Sequence, residues 1–450
     1  MQNCIVLLAI VLASFASSAR GVTQAPQSAA DPAAEGRKLA EQLAAGQFDR
    51  IEARYDATMG KLMPGGKLAS AWSGLIEQVG AFQGIAETKA TKRGGYDVVT
   101  VTCKFQEAAI DVQVSYSADG KIAGLYFRPH VVWSRAAYAK PDSFTEETLT
   151  IVNGRFELPG TLTIPKGDGP FPAVVLVHGS GPNDADETIG PNKPFKDLAW
   201  GLASRGVAVL RYAKRTVKYG AQSNDDPAKL TVDDETISDA RAAALVFAKE
   251  PKINPARIFV LGHSLGGYLA PRIATGDAEI CGIILLAANT RPIEQIAVDQ
   301  VRYLASLNDR PAEEGQKQIA AAEEAAKKIE SPNLKPGETV SFLGGNSPAS
   351  YWLDLRDYHP VETALQLKIP MLILQGGRDY QVTPANFDDW KKALGNRASV
   401  TLKLYPDLNH LFLAGSGPST PAEYNKPGHV SEDAVSDIAA WISAGGKLPK

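Results

Sequence analysis

From Glu146 onward, short continuous apolar segments alternate with segments of helical periodicity. The apolar segments are "PAVVLVHG", "VAVLRY", "RIFVLGHS", "GIILLAA", "PMLILQGG" and "SVTLKLYP". Strands that are apolar at every position are typical of a parallel sheet whose two faces are both buried. The pattern therefore predicts a doubly wound α/β domain over 146–450. It begins with a hairpin in "ETLTIVNGRFELPGTLTIP".

The segment before it has a different pattern. A short amphipathic helix in "EGRKLAEQLAAGQF" is followed by three segments in which apolar and polar residues alternate, "YDVVTVTCKF", "AAIDVQVSYS" and "KIAGLYF". Alternation with a period of two is typical of antiparallel strands that bury one face. Residues 35–130 are therefore predicted to form a separate small α+β domain.

About seventy residues interrupt the α/β pattern between "GIILLAA" and "PMLILQGG". This insertion, about 291–360, opens with an amphipathic helix that carries Ile293, Ile296, Ala297, Val301 and Leu304 on one face. A long insertion at the end of a sheet is typical of a lid over an active site. A peripheral helical decoration is the alternative.

The N-terminus, residues 1–22, carries the apolar segment "CIVLLAIVLASFASSA", which grades into small residues. The segment is too short for a stable membrane anchor and is typical of a secretory signal peptide, although no Lys or Arg precedes it. We therefore expect a periplasmic or secreted protein. A buried N-terminal helix is the alternative.

Composition excludes several kinds of partner. The net charge of −3 and the absence of a Lys/Arg-rich run argue against nucleic-acid binding. No spacing of metal ligands appears, "GHSLGG" lacks the lysine of a P-loop, and "HGSGP" is not a dinucleotide fingerprint. We therefore expect no metal and no cofactor. The oligomeric state is not indicated.

Three side chains of catalytic type follow the ends of predicted strands, where ligands bind in such sheets. Ser264 lies in "GHSLGG", a G-x-S-x-G sequence that places a serine on a sharp strand-to-helix turn, although a serine can occupy such a turn without a catalytic role. His410 in "LNHLF" has the residue type needed to take the proton of a serine. Asp379 in "GGRD" can orient that histidine, or can cap the following helix.

A glycine-rich turn, "VLVHGSGPND", follows an early strand and can point backbone N–H groups into the same site. We expect the N–H groups of Ser180 and of Leu265, the residue after the serine, to form an oxyanion hole. Gly181 is an alternative to Ser180, and a tight turn without a catalytic role is another.

The second domain resembles the α/β-hydrolase superfamily, and more narrowly the dienelactone-hydrolase-related, S9-like and EstD-type bacterial esterases. The resemblance lies in the segments "HGSGPND", "GLASRGVAVLRYAKRT", "GHSLGG", "LQGGRDYQV" and "LNHLF". Residues 35–130 resemble the NTF2-like DUF3887 domain that several of those proteins carry. In that family the motif serine, the acid of "GGRD" and the histidine of "NH" are catalytic, which in this chain are Ser264, Asp379 and His410.

The resemblance implies a serine carboxylesterase that acts on a small-molecule ester, short-chain or aromatic, through an acyl-enzyme. Tyr351 and Trp352 in the insertion are candidates for the wall of an acyl pocket, with ordinary packing as the alternative. An S9-like peptidase and an acyl thioesterase share the same catalytic residues. A non-catalytic binding protein is the alternative from a different functional class.

Overall fold

The structure is a computed structural model that describes residues 31–93, 95–130, 132–275, 280–307, 312–342 and 345–446. The signal-peptide prediction for 1–22 lies outside these residues. The chain divides into two compact units, with the boundary between Val132 and Trp133.

The first unit is α+β. Four helices precede a four-stranded antiparallel sheet of order β1-β2-β3-β4. Their bounds are α1 Pro32–Ala44, α2 Phe48–Glu52, α3 Ala57–Leu62, α4 Lys67–Val79, β1 Phe82–Arg93, β2 Tyr96–Phe105, β3 Ala109–Tyr116 and β4 Ile122–Pro129. Alternate residues of β3 are buried, as the period of two requires, and they pack on α1 and α4.

An eight-stranded sheet forms the centre of the second unit, with strand order β14-β13-β10-β9-β7-β8-β6-β5. The strands are β5 Phe144–Asn153, β6 Phe156–Pro165, β7 Phe171–Val177, β8 Ala208–Tyr212, β9 Ile253–His263, β10 Ile280–Leu286, β13 Met371–Gly376 and β14 Val400–Tyr405. Pairing is parallel from β14 to β8, whereas β5 and β6 form the predicted antiparallel hairpin.

Helices cover both faces of this sheet, which confirms the predicted fold class. Helices α5 Pro194–Ala203 and α14 Glu432–Ser443 pack on one face, and α7 Ser238–Phe247, α8 Leu265–Ala274 and α13 Pro384–Leu394 pack on the other. A short α6, Arg215–Tyr219, follows β8. No helix in the described ranges is long and apolar enough to cross a membrane.

The insertion lies between β10 and β13. It contains α9 Ile293–Ser306, α10 Ala312–Glu330, the hairpin β11 Thr339–Phe342 and β12 Gly345–Pro348, then α11 Ala349–Leu355 and α12 Pro360–Gln366. The sequence pattern did not predict the hairpin, because four-residue strands carry little periodicity. Because helices α9 to α12 make up most of its described residues, the insertion is mainly helical, as predicted.

Candidate active site

Ser264 is the single residue between the end of β9 at His263 and the start of α8 at Leu265. Its backbone has φ 55° and ψ −116°, a strained conformation for a residue with a side chain. Two neighbouring glycines make the turn possible. A Cβ on Gly262 would lie 2.1 Å from the Gly266 carbonyl oxygen, and a Cβ on Gly266 would lie 2.2 Å from that of Val177. The local sequence therefore builds the sharp turn that exposes a nucleophile at the end of a strand.

A carboxylate and an imidazole meet next to this turn. Asp379 follows β13, and its Oδ2 lies 2.7 Å from Nδ1 of His410. The backbone N–H groups of Gln381 and Val382 donate to Oδ1 at 2.8 and 2.9 Å, and both paired side chains are buried. Because the carboxylate accepts from Nδ1, Nε2 of His410 is left as the proton acceptor. Asp379 does not cap α13, whose N-cap residue is Thr383.

The loop that carries His410 is held by its neighbours. The Asn409 side chain accepts from the N–H groups of Leu411 and Leu413, and Phe412 adopts φ 58° while almost completely buried. A residue with a side chain at positive φ persists only where the surroundings impose it. The imidazole is therefore presented from a rigid loop.

A second imidazole–carboxylate pair, which the sequence did not predict, lies beside the first. Nδ1 of His263 is 2.9 Å from Oε2 of Glu187, and Nε2 of His263 is 2.9 Å from the carbonyl oxygen of His410. Burial alone would lower the pKa of His263, but the Glu187 charge and hydrogen bonds raise it overall. Burial alone would raise the pKa of Glu187, but the charge of His263 lowers it overall. The two side chains therefore form a buried ion pair that contacts the backbone of His410.

The glycine-rich turn after β7 also adjoins Ser264. Its Gly179 N–H donates to Oε1 of Glu187 at 2.7 Å. Ser180 and Leu265 line the same cavity as Ser264 and His410. Leu265 is the first residue of α8, where the N–H has no acceptor within the helix. The structure thus brings together all five residues that the sequence predicts for the triad and the oxyanion hole.

The cavity in front of Ser264 has a volume of about 200 Å³. Helix α9 of the insertion supplies one wall through Ile293, Ile296, Ala297 and Gln300. The remaining lining residues are Gly179, Ser180, Asn183, Glu187, Ile189, His263, Ser264, Leu265, Asn289, Gln381, Val382 and His410. Helix α9 of the insertion therefore forms part of the wall of the cavity. Of the α9 residues in this wall, Ile293, Ile296 and Ala297 lie on the apolar face that the sequence pattern predicted.

Tyr351 and Trp352 are not among the residues that line the cavity, contrary to expectation. The hydroxyl of Tyr351 donates to Oε2 of Glu235 at 3.2 Å, and the indole N–H of Trp352 donates to Oγ of Ser347 at 2.7 Å. Tyr351 therefore contacts the turn that precedes α7, Trp352 contacts β12, and both rings pack against the core of the second unit.

No group of three or more metal-ligating side chains occurs in the described part of the chain. The serine, imidazole, carboxylate and backbone N–H groups of the site are the components of a serine hydrolase.

Comparisons with known proteins identify the family of the chain. Residues 170–415 match the family model described as serine aminopeptidase, S33, and residues 37–125 match the protein of unknown function DUF3887. The chain is 43% identical to esterase EstD of Thermotoga maritima over 377 residues, which cover 83% of this chain and 86% of that protein.

Two further similarities are more distant. Dipeptidyl aminopeptidase BIII of Pseudoxanthomonas mexicana is 30% identical over 257 residues, which cover 55% of this chain but only 31% of that protein. A solved Pyrococcus furiosus esterase is 18% identical with a TM-score of 0.44, covering 70% of this chain and 98% of that one. From the family match over its second unit and its identity to a relative along most of its length, the chain belongs to the S33 serine hydrolases of the α/β-hydrolase superfamily.

Proposed function

We propose that this protein is a serine carboxylesterase that hydrolyses small uncharged esters through an acyl-enzyme on Ser264. The observation that carries the proposal is the buried Asp379–His410 pair, which leaves Nε2 of His410 free at the cavity that Ser264 lines. A serine hydroxyl is a weak nucleophile unless a positioned base takes its proton.

The reaction follows from these positions. Nε2 of His410 takes the proton of the Ser264 hydroxyl as its oxygen attacks the ester carbonyl, and Asp379 stabilises the imidazolium that forms. The N–H groups of Ser180 and Leu265 stabilise the oxyanion of the tetrahedral intermediate. His410 then protonates the leaving alcohol. In the second half of the reaction His410 takes a proton from water as the water attacks the acyl-enzyme, and it returns that proton to Ser264 as the acid leaves.

The lining of the cavity supports an uncharged substrate. The described residues that line it include no lysine or arginine, which a CoA thioester would be expected to use for its phosphates. Its one carboxylate, Glu187, is occupied by His263 and by the Gly179 N–H, so it is not free to bind the amino terminus of a peptide. These features favour an esterase over a thioesterase or an aminopeptidase.

The size of the cavity supports a small acyl group. A cavity of about 150 Å³ accommodates benzene, so about 200 Å³ admits a short acyl chain or a single aromatic ring. The isoleucines of α9 supply apolar contacts for such a group. Asn289, Gln300 and Gln381 add neutral polar groups to the lining.

The test is a panel of p-nitrophenyl esters from acetate to octanoate, peptide p-nitroanilides and acyl-CoA thioesters, assayed with wild type and Ser264→Ala. We expect turnover of the acetate and butyrate esters only, lost in Ser264→Ala. Ester turnover that survives in Ser264→Ala would contradict the mechanism. Preference for the anilides or thioesters would replace the substrate assignment.

The N-terminal sequence supports one further proposal, that the protein is exported. N-terminal sequencing of the protein recovered from a periplasmic or extracellular fraction tests it. A mature chain that begins near residue 20 is expected, whereas a full-length chain retained in the cytoplasm would contradict export.

A further inference from the structure

A buried lysine lies beneath the glycine-rich turn of the site. Lys214 follows β8 and is 1% exposed, yet it does not line the cavity. Its Nζ donates to the carbonyl oxygen of Gly179 at 3.1 Å and lies 3.4 Å from Oε2 of Glu235. Lysine is almost never fully buried unless it is paired, and this position gives it no direct access to a substrate. Lys214 can therefore act on the site only through the backbone that it contacts.

The contact determines where a neighbouring N–H points. The carbonyl of Gly179 and the N–H of Ser180 belong to one planar trans peptide group, so they point in opposite directions. Lys214 holds the carbonyl toward the protein interior, and Nδ2 of Asn183 donates to the same oxygen at 3.3 Å. The Ser180 N–H is thereby directed away from Lys214.

The other N–H group of this turn is already engaged. Gly179 donates its own N–H to Glu187 at 2.7 Å. A Cβ at position 179 would lie 3.2 Å from Cβ of Ser264, which favours glycine there. Glycine also lowers the barrier to alternative backbone conformations, so the Gly179–Ser180 peptide needs an external contact to keep one orientation. Lys214 supplies that contact.

The carboxylate of Glu235 compensates the charge of the buried Lys214. Oε1 of Glu235 accepts from Oγ1 of Thr216 at 3.0 Å, and Oε2 accepts from the Tyr351 hydroxyl at 3.2 Å. Burial, followed by the Glu235 charge, raises the pKa of Tyr351 well above its ordinary value, so the hydroxyl remains a donor. Buried ion pairs contribute little net stability compared with apolar residues of similar size. The pair therefore calls for an explanation other than stability.

We propose that Lys214, supported by Glu235, is a positioning residue that fixes the Gly179–Ser180 peptide so that the Ser180 N–H forms the oxyanion hole. The inference rests on the proposed esterase function and adds to it. It selects Ser180 over Gly181 as the donor, and it gives the side chains of Glu235 and Tyr351 a part in the site.

The primary test measures kcat and KM of Lys214→Met with p-nitrophenyl acetate. Loss of one oxyanion donor lowers kcat about 10²–10³-fold in a known case. A donor that is misdirected for part of the time is expected to lower kcat by about 10–100-fold, with KM changed less than about twofold. The affinity for a trifluoromethyl ketone, whose hemiketal oxygen occupies the hole, is expected to fall in parallel with kcat.

The double variant Lys214→Met/Glu235→Gln leaves no unpaired buried charge and guards against misfolding of the single variant. The matched control is Arg215→Met/Asp239→Asn. It removes a neighbouring buried ion pair, with Nε of Arg215 2.8 Å from Asp239, that does not contact the glycine-rich turn. Circular dichroism and thermal melting establish that each variant is folded at the assay temperature.

Two results overturn the inference. One is a folded Lys214 variant whose kcat and ketone affinity stay within about twofold of wild type. The other is a loss no greater than that of the Arg215→Met/Asp239→Asn control. Either result alongside an inactive Ser264→Ala would leave the esterase proposal intact. A wild-type protein without ester turnover would instead overturn the proposed function, and this inference with it.

Discussion

Asp379→Asn is the substitution that the geometry constrains most tightly. Oδ1 of Asp379 accepts from the N–H groups of Gln381 and Val382, and Oδ2 accepts from Nε2 of Gln375 and pairs with Nδ1 of His410. An asparagine has only one acceptor oxygen. If that oxygen keeps the two backbone bonds, the new NH₂ group faces His410 and Gln375. Nδ1 of the imidazole can accept a hydrogen bond from this NH₂ group only if the imidazole proton moves to Nε2. In that tautomer Nε2 cannot act as the base.

The size of the effect follows from this tautomer. The equivalent substitution in another serine hydrolase lowers kcat about 10⁴-fold, which at 1.36 kcal/mol per decade is about 5.5 kcal/mol of transition-state stabilisation. The donor–donor conflict with Gln375 costs a further 1–3 kcal/mol, roughly, in the free energy of unfolding. The assay is kcat for p-nitrophenyl acetate between pH 5 and 9, with urea unfolding in parallel. A folded Asp379→Asn that keeps more than about a tenth of wild-type kcat would show that the imidazole does not depend on this carboxylate.

The chain offers a matched control. Asp197 is another buried aspartate paired with a histidine, 3.1 Å from Nδ1 of His429, and the Val430 N–H also donates to it. Neither Asp197 nor His429 lines the cavity at Ser264. Burial raises the pKa of Asp197 to about 6. Asp197→Asn is therefore expected to change stability while kcat stays close to wild type. An equal loss of kcat in both variants would assign the Asp379 effect to folding alone.

Three further predictions concern the elbow, the cavity and the buried ion pair. Gly266→Ala places a Cβ 2.2 Å from the Val177 carbonyl oxygen, so a lowered melting temperature is expected, and an unchanged one would contradict the packing. Ala297→Leu fills part of the cavity, so kcat/KM for butyrate relative to acetate is expected to fall about tenfold, and a constant ratio would place the acyl group elsewhere. His263 has a raised pKa and Glu187 a lowered one, so their pair stabilises fully between their ordinary values of 4.5 and 6.5. The stability advantage of wild type over His263→Gln, measured by urea unfolding, is expected to shrink as the pH rises from 6 to 9, and a constant advantage would contradict the ion pair.

The sequence predicted the fold of the second unit because its strands are buried on both faces. Such strands carry continuous apolar segments, and the residue after each segment lies at the carboxyl edge of the sheet. That rule, together with the G-x-S-x-G motif and the residue types, selected Ser264, Asp379 and His410. Ser264 and His410 line one cavity, and Asp379 pairs with His410. Parallel pairing made this possible, because it aligns the ends of strands that are distant in sequence.

The features that the sequence did not predict depend on tertiary contacts. Tyr351 and Trp352 lie on a short helix whose direction is set by the preceding hairpin, and four-residue strands leave little signal in the sequence. Glu187 is separated from His263 by 76 positions, and the fold brings them together beside the glycine-rich turn. Lys214 is one basic residue among many until its burial is known. An acidic residue close after "HGSG" was the one local signal available for Glu187.

The central claim is that Ser264 forms the covalent bond to the acyl group. Diethyl p-nitrophenyl phosphate, which phosphorylates activated serines, tests it directly. We expect intact mass spectrometry to show one diethylphosphoryl group on wild type, peptide mapping to place it on Ser264, and esterase activity to fall in proportion to labelling. Ser264→Ala is expected to remain unlabelled. Labelling of Ser264→Ala to the same extent, or a label on another residue that tracks the loss of activity, would contradict the account.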